Sequence, residues 1–305
     1  MKKQENIPYK FESLTDTHRV FGLPAPKHPL ISLINGAHGQ AELNGPQTHV
    51  LNFYKISSKP KLSGKLKYGQ SQYDFDEGGM LFASPGQIIG NNENKTRVCS
   101  QYTLLIHPDF FLGFPLAKDI KQYGFFSYST NEALHLSEEE KKTITSIFQM
   151  IETELNSRID DLSQNVVIAQ IELLLNYANR FYKRQFITRK AVNNNLLQQL
   201  ESLLNNYFNS ETTLSRGIPT VQYLADELNL TPAYLSDMLR SLTGQSAQQH
   251  IHHTLIEKAK EKLSTSNLSV SEIAYALGFE HPQSFSKLFK SKTNVSPLEF
   301  RQSFN

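Results

Sequence analysis

Apolar residues change their spacing along the chain. Between Val50 and Ile106 they alternate with polar ones, as in Val50-Leu51-Asn52-Phe53-Tyr54-Lys55-Ile56, Gly64-Lys65-Leu66-Lys67-Tyr68-Gly69 and Gln72-Tyr73-Asp74-Phe75. A period of two predicts strands. Gly78-Gly79, Pro85-Gly86 and Asn91-Asn92 punctuate them at spacings suited to short strands, and Val98, Tyr102, Leu104 and Ile106 share one face of the last. An antiparallel barrel is the expected product. Past residue 136 the period becomes about 3.6. Ser137-Glu138-Glu139-Glu140 reads as a capping box, and Ile144, Ile147, Phe148, Ile151 and Leu155 follow as one stripe. A second helix starting near Asp161 carries Val166, Val167, Leu173, Leu174, Ala178 and Phe181, more apolar surface than one solvent-facing helix needs. It either packs on the barrel or pairs with a second subunit, and both can hold at once. Beyond the basic stretch Lys183 to Lys190, a third helix aligns Leu196, Leu197, Leu200, Leu203, Leu204, Tyr207 and Phe208, which sets a domain boundary near residue 190.

The last third contains an internal repeat. Val221-Gln222-Tyr223-Leu224-Ala225-Asp226-Glu227-Leu228-Asn229-Leu230 matches Val270-Ser271-Glu272-Ile273-Ala274-Tyr275-Ala276-Leu277-Gly278-Phe279 in its apolar positions and its alanine. After one inserted residue the match resumes, Leu235 to Arg240 against Phe285 to Lys290, then Gly244-Gln245-Ser246 against Asn294-Val295-Ser296. Each copy reads as a short helix, a tight turn and a second helix. Asn229 and Gly278 stand where a left-handed residue must end the first helix, and Thr231-Pro232 and His281-Pro282 open the second. Gly244 and Asn294 end it in the same way. Two copies of a helix-turn-helix are therefore predicted.

These residues resemble the DNA-binding domain of the AraC/XylS family of bacterial transcription regulators. The resemblance is carried by Ser271 to Phe279, Ser284-Phe285-Ser286-Lys287-Leu288-Phe289-Lys290 and Ser296-Pro297-Leu298-Glu299-Phe300-Arg301. It implies two helix-turn-helix units joined by a linker helix, about Gln248 to Leu263, each offering its second helix to a major groove. The N-terminal half resembles the family's cupin-like effector and dimerisation domain through its strand pattern and Ser84-Pro85-Gly86-Gln87. The expected fold class is multidomain α+β: a cupin-like β-rich effector domain over 1–136, a helical dimerisation and linker segment over 137–189, and an all-α DNA-binding domain over 190–305. The expected partners are double-stranded DNA, a second copy in a homodimer, a small-molecule effector and RNA polymerase. The chain departs from the family pattern at Leu255, where Arg is frequent, at Asp237, where a long polar or basic residue is frequent, and at Asn294, where Gly is frequent.

A major groove about 12 Å wide admits one helix, so exposed polar positions on each second helix are the candidates for reading bases. They are Ala233, Ser236 and Asp237 in the first unit and Gln283, Ser286 and Lys287 in the second. Gln283 suits adenine, Lys287 guanine, Asp237 the N4 of cytosine and Ala233 a thymine methyl. Arg240, Lys290 and Lys292, at or past the ends of those faces, are phosphate candidates, and Asp237 has a second reading as the partner of Arg240. Phe53, Tyr54, Tyr68, Tyr73, Phe75 and Phe82 either line an effector pocket or fill the interior.

Composition narrows the remaining classes. The chain has 305 residues, a formal net charge of +2 and one cysteine, Cys99. That charge names no partner; between residues 190 and 305 the signs cancel, and positive charge is local to Lys287, Lys290 and Lys292. A lone cysteine excludes an intrachain disulfide framework and a cysteine zinc site. No leader or membrane helix is legible, so the cytoplasm is the expected compartment. No cofactor or metal is expected. A metal-dependent or ligand-binding cupin with an accessory helical domain is the alternative function, but His38, His49 and His107 stand singly, and no His-x-His precedes residue 250. No nucleophile elbow, phosphate loop or zinc-protease motif appears, so no enzymatic activity is expected. His250, His252 and His253 diverge around their helix and read as a solvated or phosphate-facing trio.

Overall fold

The computed structural model describes residues 8–36, 46, 48–60, 66–68, 71–73, 78–90, 100–129, 132–157, 160, 162–210 and 212–304. Phe75, Val98, Cys99 and His38 lie outside the described residues. The chain divides into two compact units, Met1–Gln185 and Phe186–Asn305.

The first unit is built from β1 (Tyr9–Phe11), α1 (Leu14–Val20), β2 (Ile31–Asn35), β3 (Thr48–Leu51), β4 (Tyr54–Lys59), β5 (Leu66–Tyr68), β6 (Ser71–Tyr73), β7 (Gly79–Ala83), β8 (Ile88–Gly90), β9 (Tyr102–Ile106), α2 (Leu116–Asp119), β10 (Leu134–His135), α3 (Glu138–Asn156) and most of α4 (Ser163–Thr188). The described strands form three sheets, ordered β1-β3-β8, β10-β7-β4-β9-β2 and β5-β6, and do not close into the expected barrel. The segment 50–56 is not one strand either. It breaks at Asn52-Phe53, whose Asn52 N–H donates to Phe11 O (3.1 Å), and the chain crosses from the three-stranded to the five-stranded sheet. Such a switch corners the fold and buries Phe53 completely.

The five-stranded sheet has two different faces. Tyr54, Ile56, Phe82 and Tyr102 meet aromatic and helical layers: Tyr102 stacks on Phe148 of α3 with centroids 5.1 Å apart, and Phe82 meets Phe125 at 4.5 Å. On the other face Leu105 joins Phe11, Leu14, Leu51 and Phe53 in one buried cluster, with Ile34 against it. The capping box of α3 forms as expected from Ser137 and Glu140. Glu140 also pairs with Arg184, whose guanidinium donates to His135 O (2.8 Å), while the Gln185 amide accepts from His135 N–H (2.8 Å) and donates to Ala133 O (3.2 Å). The end of the basic stretch thus satisfies the backbone of the β10 edge strand. Along α4, Val167, Ile171, Leu174, Ala178 and Phe181 are buried within the unit, whereas Val166 and Leu173 are each 40% exposed.

Lys55 stands apart in this unit. It is half-buried at the middle of the sheet, and burial together with the neighbouring Lys59 charge pushes its pKa down to about 8. The folded protein therefore releases this proton at lower pH than the unfolded chain does. The cost of holding the charge is fully present below pH 8 and is relieved as pH rises toward the ordinary value of 10.5. Lys55→Met should raise stability at pH 7 by about 2 kcal/mol, and its advantage over wild type should shrink between pH 8 and 10.5 in urea unfolding at a series of pH values.

The second unit is helical: α5 (Lys190–Asn209), α6 (Thr212–Arg216), α7 (Val221–Glu227), α8 (Pro232–Thr243), α9 (Ala247–Thr265), α10 (Val270–Ala276), α11 (Pro282–Thr293) and α12 (Pro297–Gln302). The end of α4 belongs to it, since Phe186 packs edge-on to Tyr234 (5.1 Å) and its carbonyl accepts from the buried Asn193 amide. The turns α7–α8 and α10–α11 reverse at Asn229 (φ 56°) and Gly278 (φ 89°), and α8 and α11 end at Gly244 (φ 76°) and Asn294 (φ 65°), the left-handed positions the repeat predicts. Gly278 carries a further constraint, because a Cβ there would come within 2.6 Å of the Gly217 carbonyl carbon. Gly278→Ala should therefore destabilise the unit by about 2–4 kcal/mol, while Asn229→Gly should change stability by less than about 1 kcal/mol. Denaturant unfolding of the two variants checks the difference.

Candidate nucleic-acid interface

The two helix-turn-helix units coincide in their stabilising contacts. Leu224, Ala225, Leu235 and Leu239 are fully buried in the first, as are Ile273, Ala274, Phe285 and Phe289 in the second. A buried alanine in each first helix gives the second helix room to approach. Thr231 caps α8 by accepting from Tyr234 N–H (3.3 Å), and Ser246 and Ser296 form capping boxes with Gln249 and Glu299 on the helices that follow. Thr243 and Thr293 were not singled out in the sequence, yet their hydroxyls donate to Leu239 O (2.8 Å) and Phe289 O (2.9 Å), and both accept from the N–H two residues on. The signal was legible as a threonine directly before the left-handed residue in both copies.

The exposed face of each second helix differs. On α11, Gln283, Lys287 and Lys290 are exposed and Ser286 is half-buried. Their spacing of four, three and one residues keeps them on one side of the helix. On α8 the equivalent Ala233, Ser236 and Asp237 are all half-buried, and Asp237 holds the exposed Arg240 in an ion pair (2.9 Å). Lys292 is exposed but lies nine residues past Gln283, on the opposite side of α11, where its charge reaches His252. Among the described residues, no hydrogen bond or ion pair engages Lys287, Lys290 or Lys292. Three other cations of the unit are engaged: Lys258 with Glu261 (3.0 Å), Lys260 with Glu257 (2.8 Å), and Arg301, which donates to Leu263 O (3.3 Å) and Leu268 O (2.6 Å) and fastens α12 to the end of α9.

The linker helix is α9. Leu255, where Arg is frequent in the family pattern, is completely buried, as are its neighbours Ile256 and Ala259, so it serves the core. His250 shares a hydrogen bond with the Thr243 hydroxyl (2.9 Å) and His252 one with the Gln248 amide (2.8 Å). Burial holds both rings below the ordinary histidine value, helped at His250 by His253 and at His252 by Lys292. Both are then neutral at physiological pH and offer phosphate no charge. No group of three or more potential metal ligands occurs among the described residues.

In the first unit, the side chains of three of the proposed pocket aromatics, Phe53, Tyr54 and Phe82, are described, and they lie on two faces of the fold. Phe53 is buried with Phe11 and Leu51, while Tyr54 and Phe82 flank Phe126 at 5.1 and 5.5 Å. Tyr68 and Tyr73 lie on β5 and β6, and Phe75 is outside the described residues. No helix among the described residues is long and apolar enough to cross a membrane.

A family pattern described as a helix-turn-helix domain matches residues 224–303. The raffinose operon transcriptional regulatory protein RafR of Pediococcus pentosaceus is 37% identical over 28% of this chain and 30% of its own. The HTH-type transcriptional activator RhaS of Salmonella schwarzengrund is 30% identical over 48% of this chain and 51% of its own, so the chain spans about half or less of these curated relatives. Among solved structures, the C-terminal domain of the two-component response regulator yesN from Fusobacterium nucleatum is 32% identical over 33% of this chain and 96% of that one, with a TM-score of 0.29. A variant of apo ToxT from Vibrio cholerae is 16% identical over 84% and 91% of the two chains, also with a TM-score of 0.29. The match over residues 224–303 identifies a helix-turn-helix domain there, and the signature from Ser271 to Arg301 is similar to that of the AraC/XylS transcription regulators.

Proposed function

We propose that the protein is a sequence-specific DNA-binding transcription regulator without catalytic chemistry, in which α8 and α11 enter successive major grooves roughly 34 Å apart. One observation carries the division of labour. The polar tip of α8 is closed on itself by Asp237 and Arg240, whereas Gln283, Lys287 and Lys290 of α11 are exposed and engaged by no ion pair among the described residues. On this reading Gln283 and Lys287 read base edges, Ser286 assists them, and Lys290 holds a phosphate, with Lys292 reaching the backbone from the flank of the helix. Ala233 and Ser236 are short and contribute shape and a methyl contact, and Asp237 positions Arg240 for phosphate.

The N-terminal unit is the cupin-like regulatory part of this reading, with 1–136 responding to a small-molecule effector, 137–189 dimerising and 190–305 binding DNA. Contact with RNA polymerase and a cytoplasmic location complete it. Dimerisation is supported by the exposed Val166 and Leu173, one spiral of α4 left apolar outside the core. Leu174 is fully buried in its own chain, so a charge there tests folding and not assembly.

Titration of operator and scrambled DNA at several salt concentrations tests the base and phosphate roles. Lys287→Ala should lose about 1–3 kcal/mol on the operator and relax preference at one base pair. Lys290→Ala should weaken both DNAs alike and lower the salt slope by about one unit. Equal losses on both DNAs for Lys287→Ala would refute base reading.

Sedimentation tests the dimer. Wild type should be dimeric at micromolar concentration, and Leu173→Asp should be a folded monomer, because an unpaired carboxylate cannot be buried in the interface. A monomeric wild type would leave α4 with packing alone.

A further inference from the structure

Lys55 lies in a row that crosses the five-stranded sheet as Ser32, Leu105, Lys55 and Ala83. The adjacent row is Ile34, Thr103, Ser57 and Leu81. Directly paired residues share a face, so Lys55, Ser57 and Thr103 lie on the side where Leu105 and Ile34 meet the buried cluster of Phe11, Leu51 and Phe53. Lys59, four residues along β4, falls on that side too. Among the described residues, the Lys55 ammonium has no hydrogen-bond acceptor and no carboxylate partner, and the charge that acts on it is the like charge of Lys59. Cations inside proteins are ordinarily paired. Two hydroxyls stand beside this one: Ser57 and Thr103 are 3.3 Å apart, and one hydrogen between them leaves the other free to donate. Among the described residues, this half-buried face holds an ammonium, a free hydroxyl donor and the apolar Leu105 and Ala83, and no negative charge.

We propose that this face of the N-terminal unit binds a small organic anion, its acidic head on Lys55 and the Ser57–Thr103 hydroxyls and its body against Leu105 and Ala83. This names the chemical class of the effector and rests on the regulatory reading above. Neutralisation by the ligand replaces the missing carboxylate, and the apolar neighbours favour an organic body over a bare inorganic ion.

Full-length protein is titrated by calorimetry with acetate, hexanoate, inorganic phosphate and the neutral hexanamide. Hexanoate should bind saturably at millimolar concentration or below and raise the unfolding temperature, and hexanamide should do neither. Binding of phosphate in preference to hexanoate would assign a phosphate head to the same site. Lys55→Met, which should fold at least as well as wild type, should lose about tenfold or more in affinity. The side-chain resonance of Lys55 should titrate at higher pH with the anion bound. Absence of binding by all three anions, or equal binding by Lys55→Met, overturns the proposal. Operator affinity measured on the same samples separates the two readings: binding at Lys55 without a change in operator affinity supports the anion site and refutes effector control.

Discussion

Each helix-turn-helix depends on a single backbone conformation. The chain must leave its first helix and start a second within a few residues, and it does so through a positive φ at Asn229 or Gly278. That residue lets the next N–H fold back: Leu230 donates to Ala225 O (2.9 Å) and Phe279 to Ala274 O (3.0 Å). The bond places Thr231 or His281 at the start of the second helix, and the buried alanine to which it returns has no side chain to hold the helices apart. The axis of the recognition helix, and so the choice of residues that face outward, follows from this turn. Asn is adequate at the first turn because its αL cost is small. At the second, the Gly217 backbone lies so close that no side chain fits.

With the helices fixed, what distinguishes the two exposed faces is the treatment of charge. Residues 190–305 carry no net charge, so on the proposed reading binding of phosphate rests on cations that the fold has not already used. Arg301 is spent on two carbonyls and Lys258 and Lys260 on glutamates one turn away, while the exposed Arg240 shares its charge with Asp237. Among the described residues, Arg216 and Lys262 are also in no ion pair, but three unpaired lysines, Lys287, Lys290 and Lys292, lie together on α11. The two copies of one motif have thus diverged in chemistry while keeping their turns, caps and cores.

The repeat was legible because it is local. Left-handed turns, prolines at helix starts and buried alanines are each set within a few residues, and all appear where the spacing put them. The sheet was harder to read. The change of sheet at Asn52-Phe53 is marked only by the adjacent aromatics Phe53-Tyr54, which shift the phase of the alternation, and the bond from Asn52 N–H to the distant Phe11 carbonyl is visible only in the fold. The apolar length of α4 was visible, but not the assignment of Leu174 to the core and Leu173 to the surface, which needs the rotation of the helix on its neighbours. The Asp237–Arg240 pair was legible as a three-residue helical spacing, whereas the isolation of Lys55 could be seen only with its cross-strand neighbours in place.

The two units leave lysines without partners in opposite physical settings. On α11, Lys287 and Lys290 are exposed, where water solvates an ammonium at little cost and a phosphate gains mainly by releasing counterions. Such sites bind weakly one by one and respond to salt. Lys55 is half-buried on the sheet with a second cation near, so that water solvates it less well and its own proton is held less firmly. There a single anion gains from a low local dielectric and is screened much less by salt. An unpaired lysine in the sheet therefore favours one stoichiometric ligand, while unpaired lysines on a surface helix favour a polyanion, and the chain contains both arrangements.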